Sequence, residues 1–252
     1  MKMFIAISLC CASEMMVHAA QQVITPNNLS SVEGNSSLND FLNVQSFRMQ
    51  MVISASEFSS LSSAPGVSNI LSTIWFRIDG ASTDGTLTGF GGSSVTLSIT
   101  PRGPDNLSPV FAENVGANPV TVFNGGLQFG QGFMPGADPQ PFALSVITGG
   151  NWFNYSPAQG NLLVDIRGVD GRVLVPGSLD AQSMAGDAVS RVFASSNLAS
   201  SGLVDTLGLV ARFDFVVVPE PSTWMLSTVG FASLFLFRCR RIRQARVCFQ
   251  TK

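Results

Sequence analysis

From Leu207 the apolar side chains fall on every second residue: Leu207, Leu209, Ala211, Phe213, Phe215 and Val217. Arg212 and Asp214 stand between them. A period of two puts one set of side chains on a core and the other toward water, which is the signature of a strand. The same alternation runs through SFRMQMVIS (46–54), where Phe47, Met49, Met51 and Ile53 oppose Arg48 and Gln50. It runs through STIWFRID (72–79), where Ile74, Phe76 and Ile78 oppose Thr73, Trp75 and Arg77, and through SSVTLSIT (93–100). Shorter runs stand at 119–123, 141–147, 161–167, 172–175 and 188–194.

Turn residues punctuate these runs: Asp79-Gly80, Asp84-Gly85, Asn124-Gly125-Gly126, Pro135-Gly136 and Asp170-Gly171. Asp170-Gly171 suits a tight hairpin between 161–169 and 172–175. Long helical periodicity is missing from the middle, apart from a short helical turn expected near 180–186. The expectation is an all-β, antiparallel β-sandwich, jelly-roll-like, over 45–218. A polar Ser/Asn segment, 21–44, precedes it. No repeat of fixed period points to a propeller or solenoid.

Charge is scarce and unevenly placed. Only 12% of residues are charged. Between Gln21 and Val218 there are seven arginines against fourteen acids. An acidic middle repels phosphate backbones, so nucleic acid is not an expected partner. Cys10 and Cys11 lie near the start and Cys239 and Cys248 near the end, so the middle holds no disulfide and no thiolate metal site. The one histidine is His18. Without His, Cys or Lys in the middle, the usual nucleophile–base pairs and zinc ligands have no residues to form from. No catalytic residue, metal or cofactor is expected.

Carboxylates are the remaining chemistry. Glu57, Glu113, Asp165 and Asp214 are the acids a glycosidase pair would need, but nothing in their spacing argues convergence. Asp165 and Asp214 are expected on the wet faces of strands. Asp79, Asp84, Asp165 and Asp170 flank turns, where calcium ligands gather but where aspartates also bond to their own backbone. NWFNYSP (151–157) offers a different surface. Trp152, Phe153 and Tyr155, with Trp75, are candidate sugar-stacking rings, and Asn151 and Asn154 are candidate partners for hydroxyls.

The two ends read as targeting segments. Lys2, an apolar run over 3–12 and the small residues Ala19 and Ala20 make a secretory signal peptide over 1–20, cut after Ala19 or Ala20 by signal peptidase. At the other end stands VPEPSTW, residues 218–224. Pro219 and Pro221 cannot donate to a strand ladder and hold the residues before them extended. Residues 219–223 are therefore expected to form a tether. No charge interrupts the chain from Trp224 to Phe237. Trp224 suits a membrane–water interface, and Arg238, Arg240 and Arg241 open a basic cluster that stays in the cytoplasm. One transmembrane helix is expected over 224–237 and a basic tail over 238–252. Fourteen residues rise only about 21 Å, short of a hydrocarbon core of about 30 Å, so snorkelling arginines and local thinning must cover the rest.

This ordered tail resembles the C-terminal sorting signal of bacterial PEP-CTERM proteins. The resemblance covers 218–243, about a tenth of the chain. It implies a bacterial envelope with an outer membrane, and an inner-membrane intermediate that becomes a surface or extracellular-matrix protein. It implies exosortase as the processing partner, with Pro219, Glu220 and Pro221 as recognition residues. It also implies an association with exopolysaccharide and biofilm. The β-rich middle looks like ectodomains that carry this signal, and brings no activity with it. The expected function is structural or adhesive, not enzymatic. The alternatives are a carbohydrate-binding module and, behind it, a secreted carbohydrate-acting enzyme.

Overall fold

The computed structural model of the chain describes residues 19–39, 44–64, 66–80, 89–128, 134, 136–172 and 178–219. The strands, in chain order, are β1 (Ala19–Thr25), β2 (Ser36–Leu38), β3 (Phe47–Ile53), β4 (Val67–Arg77), β5 (Gly89–Thr100), β6 (Ala117–Gln128) and β7 (Phe142–Ile147). They continue with β8 (Phe153–Asn154), β9 (Asn161–Arg172), β10 (Leu179–Ser183), β11 (Val189–Ala194), β12 (Leu203–Asp205), β13 (Leu207–Leu209) and β14 (Ala211–Pro219). Only short 3-10 turns interrupt them, and no helix among the described residues is long and apolar enough to cross a membrane.

The expected all-β, antiparallel character is found. A first sheet runs β1-β14-β4-β7, with β8 also beside β4. A second runs β12-β11-β3-β9-β5-β6, and a small third runs β13-β10-β2. The alternation explains how the two large sheets meet. Leu71, Ile74 and Phe76 of β4 and Phe213 and Phe215 of β14 project from the first. Phe47, Met49, Met51 and Ile53 of β3 and Leu162, Val164 and Ile166 of β9 project from the second, into the same apolar cluster. Each such side chain contributes about 1.5–3 kcal/mol by leaving water. Gly168 has no side chain because a Cβ there would stand 2.5 Å from the Phe47 ring. Phe47 and Phe90 instead meet edge to face at 5.0 Å.

Several local expectations are corrected. Residues 21–44 are not simply a polar lead-in, because β1 pairs with β14 along its whole length and β2 pairs with β10. The run from Leu207 to Val217 is not one strand. Leu203–Asp205 pairs with β11, Leu207–Leu209 with β10 and Ala211–Pro219 with β4, so the chain steps from the second sheet through the third to the first. Asp170-Gly171 is not a hairpin turn. The register between β5 and β9 runs unbroken through Gly171, and Asp170 takes a φ of 54° inside the strand. Asn124-Gly125-Gly126 likewise lies within β6, while 180–183 is strand and the expected short turn is confined to 185–186. Asp84-Gly85, Pro135 and most of 172–175 lie outside the described residues.

The largest difference concerns the outward faces. On β3 every residue is buried, Arg48 and Gln50 included. A covering layer explains this: the 3-10 turn at Phe111–Glu113 and the segment around Ala199, whose carbonyl accepts from Arg48, lie over the second sheet. Phe111, Leu107, Val52, Leu163 and Val192 form a second apolar cluster beneath it. Arg77 is also buried rather than wet, because a register shift between Phe76 and Arg77 turns it inward.

Candidate functional site

The residues singled out from sequence fall in three places: a buried network under the covering layer, the outer face of the first sheet, and the end of that sheet where the chain enters and leaves.

In the first place, Asp165 is the centre. Arg48 reaches it with Nη2 at 2.7 Å and Nε at 3.2 Å, and Gln50 Nε2 donates to the same carboxylate at 2.8 Å. Asn114 Nδ2 donates to Gln50 Oε1 at 3.0 Å, and the Arg48 guanidinium lies 4.3 Å above the Phe111 ring. Asp165 is therefore not on a wet face, and its oxygens are occupied by donors rather than open to a cation. A matching pair lies between the first sheet and the third. Arg77 binds Asp180 at 2.6 Å and donates to the carbonyls of Leu29 and Val32. Burial raises the Asp180 carboxyl above its ordinary range, while Arg77 and the Gly34 N–H pull it back down. Both networks are built to hold segments together, since buried charges need partners.

The other candidate acids are dispersed. Glu57 accepts from the Asn27 N–H, and Glu113 from the Ser108 hydroxyl. Asp214 accepts from Trp75 Nε1 at 2.6 Å and pairs with Arg212 at 3.1 Å. Among the described residues no group of three or more carboxylates, cysteines or histidines is placed to hold a metal ion.

The aromatic stretch divides. Phe153 and Tyr155 are in the core: Tyr155 meets Phe58 at 4.9 Å and its hydroxyl donates to the Gly160 carbonyl. Burial raises the Tyr155 hydroxyl above its ordinary range. A three-ring stacking surface is therefore not formed. The period-two pattern accounts for this, since Phe153 and Tyr155 share the inner face and the intervening Asn154 faces out. Asn151 and Asn154 are engaged too, donating to the Thr121 carbonyl and to the Ser68 hydroxyl. Trp152 alone stands outside, 71% exposed, beside a groove of about 380 Å³ whose wall includes Ile70, Ser72, Thr148, Val216 and Val218. The valines and Ile70 of this groove were not singled out from sequence, because an apolar residue on an outward position has no signature of its own.

The third place is the end of the first sheet. β1 and β14 are antiparallel, and Ala19 pairs with Val217. The expected signal-peptide cut is thus beside the residues that lead to Pro219, which pairs with Val67 at the far end of β14. The chain enters and leaves the fold on adjacent strands at one end. Glu220, Pro221, Trp224, Phe237, Arg238, Arg240 and Arg241 lie outside the described residues, as does the expected signal peptide through His18.

No curated protein and no solved structure matches the chain significantly. A family model does match, over residues 217–241: the PEP-CTERM protein-sorting motif. The match begins inside β14, while that strand is still paired with β1 and β4. The chain therefore carries a PEP-CTERM sorting signal at the end of an antiparallel β domain, and is similar in this respect to PEP-CTERM sorting-signal proteins.

Proposed function

We propose that the chain is exported cargo of an exosortase-type sorting system, a jelly-roll-like β-sandwich presented at the surface or in the extracellular matrix. The observation that carries this reading is the position of the motif. It starts at residue 217, opposite Ala19, so both removable ends leave the fold at the same place. A domain with both exits on neighbouring strands can fold while both ends are still held by one membrane. The signal peptide delivers the chain across the inner membrane, the apolar span from Trp224 to Phe237 retains it, and Arg238, Arg240 and Arg241 stay behind. Processing at Pro219-Glu220-Pro221 then frees the domain. Its role is structural or adhesive and linked to exopolysaccharide; it is not an enzyme, and it needs no cofactor.

The test is made in the native cells. Glu220→Ala should leave an unprocessed, membrane-associated form, because it removes the one acid near the cut. Deleting 224–252 should send the folded domain into the medium. Unchanged processing in the first case, or retention in the envelope in the second, removes the motif from its role.

A carbohydrate-binding role is the second reading, favoured by the exposed ring of Trp152. It is the weaker one. The two hydroxyls in the groove wall already donate to backbone, Ser72 to the Asp214 carbonyl and Thr148 to the Ser72 carbonyl. A sugar would find one ring and few free donors there.

A further inference from the structure

We infer that the outer face of the first sheet, centred on Trp152, docks on the lipid surface while the tail is still in the membrane. The inference rests on the sorting reading, and four observations lead from it to this face.

The face is apolar where it has no reason to be. Trp152 is 71% exposed, and Ile147, next in the chain to the groove residue Thr148, is 65% exposed. Ile70, Val216 and Val218 line the groove beside Trp152. A cluster of exposed apolar side chains marks an interaction surface, whereas a single one does not.

It is also electrically quiet. The strands β1, β4, β7, β8 and β14 carry no charged residue besides Arg77, Arg212 and Asp214. Arg77 is turned inward onto Asp180. Arg212 and Asp214 neutralise one another, with the Arg212 guanidinium 4.6 Å above the Trp75 ring. The rest of the domain is acidic and is repelled by anionic headgroups, but this face is not.

The tether fixes where the face goes. The groove reaches Val218, one residue before Pro219. The span is expected to start at Trp224, six residues after Val218. Six extended residues cover at most about 22 Å. The Val218 end of the groove therefore stays within about 22 Å of the point where the chain enters the bilayer. The N-terminal exit at Ala19, opposite Val217, holds the same end of the sheet.

The chemistry of the exposed ring fits the depth. Indole has an apolar body and one N–H donor, and settles at the headgroup boundary. The engaged hydroxyls of Ser72 and Thr148 leave the groove few donors for a polar ligand beyond the Trp152 indole N–H. Lipid chains need none.

The test uses the full chain reconstituted in vesicles of phosphatidylcholine and phosphatidylglycerol, with and without brominated acyl chains. Trp224→Phe removes the span's own tryptophan, leaving Trp75 and Trp152 as reporters. The inference predicts loss of emission in brominated vesicles. It also predicts that this loss becomes much smaller on adding Trp152→Phe, since the remaining reporter, Trp75, is half-buried under Arg212. An unchanged Trp152 signal in a chain whose tail is protease-protected overturns the inference and leaves the sorting reading standing. A tail that does not insert overturns both. Two controls name the other occupants. If a soluble oligosaccharide, or raising the protein concentration without brominated lipid, changes the Trp152 emission while brominated lipid does not, the face belongs to a glycan or a second copy, and the lipid assignment is wrong.

Discussion

The two large sheets each turn an arginine–aspartate pair away from the shared core, and the surroundings of the two pairs differ. On the second sheet, Arg48 and Asp165 lie under a covering layer, with side chains 10% and 7% exposed. On the first sheet, Arg212 and Asp214 are half-buried, with side chains 21% and 22% exposed, and Arg212 packs against the Trp75 and Phe142 rings. The covered pair is tied to Gln50, Asn114 and Phe111, so it fastens one layer to the next. The half-buried pair cancels its own charge on a face that also carries Trp152 and Ile147. The difference is one of degree: the second sheet carries a layer over its pair, and the first leaves more of its outer face to water, at the end where the chain enters and leaves the fold.

Substitutions put that contrast to the test. Asp165→Ala should have the largest effect, about 3–5 kcal/mol of lost stability, because it strands the buried Arg48 guanidinium. Urea unfolding measures this, and a loss below about 1 kcal/mol would mean that the covering layer lets water in. Phe111→Ala should be comparable, about 3–5 kcal/mol, by opening a cavity under the same layer. Asp214→Ala should cost less, about 1–3 kcal/mol, since the pair is half-buried and the loss leaves Trp75 Nε1 without its acceptor. An equal cost for Asp214→Ala and Asp165→Ala would abolish the distinction between the sheets.

The smallest effect concerns Glu57. Burial raises its carboxyl above the ordinary range, the Asn27 N–H offsets this in part, and Asp187 adds to it. A raised carboxyl binds its proton more readily folded than unfolded. Its charge therefore weighs against the fold above the raised value, and that weight is lifted as pH falls through it. Glu57→Gln should leave stability at neutral pH equal or slightly higher, by less than about 1 kcal/mol, given its partial exposure. Stability curves of wild type and variant should run parallel below the ordinary carboxyl value, separate as pH rises from there through the raised value, and stay apart above it.

The contrast also explains what could be read in the sequence. Alternation identified the inner faces of β3, β4, β5 and β14, because apolar residues on every second position have one physical cause. It could not show whether the other face was wet. Arg48, Gln50 and Asp165 look like solvent-facing residues until the covering layer, distant in sequence, is placed over them. Asp170-Gly171 failed for a related reason. A residue that tolerates positive φ suits a turn, but it suits an irregular strand equally well. β1 was missed because Ala-Ala-Gln-Gln carries little β propensity and is held mainly by its pairing with β14. In the aromatic stretch, the ring types were informative but the period decided the outcome, sending Phe153 and Tyr155 inward and leaving Trp152 out. The tail was legible for the opposite reason. Its signal is local, an ordered run of tether, apolar span and basic cluster, and needs no tertiary partner to be recognised.

The most direct test of the account is the intact mass of the protein recovered from the outside of its native cells. The account predicts a chain beginning at Ala20 or Gln21 and ending near Pro219 to Pro221, without the span or the arginine cluster. A 26.7 kDa product running from Met1 to Lys252 would contradict it.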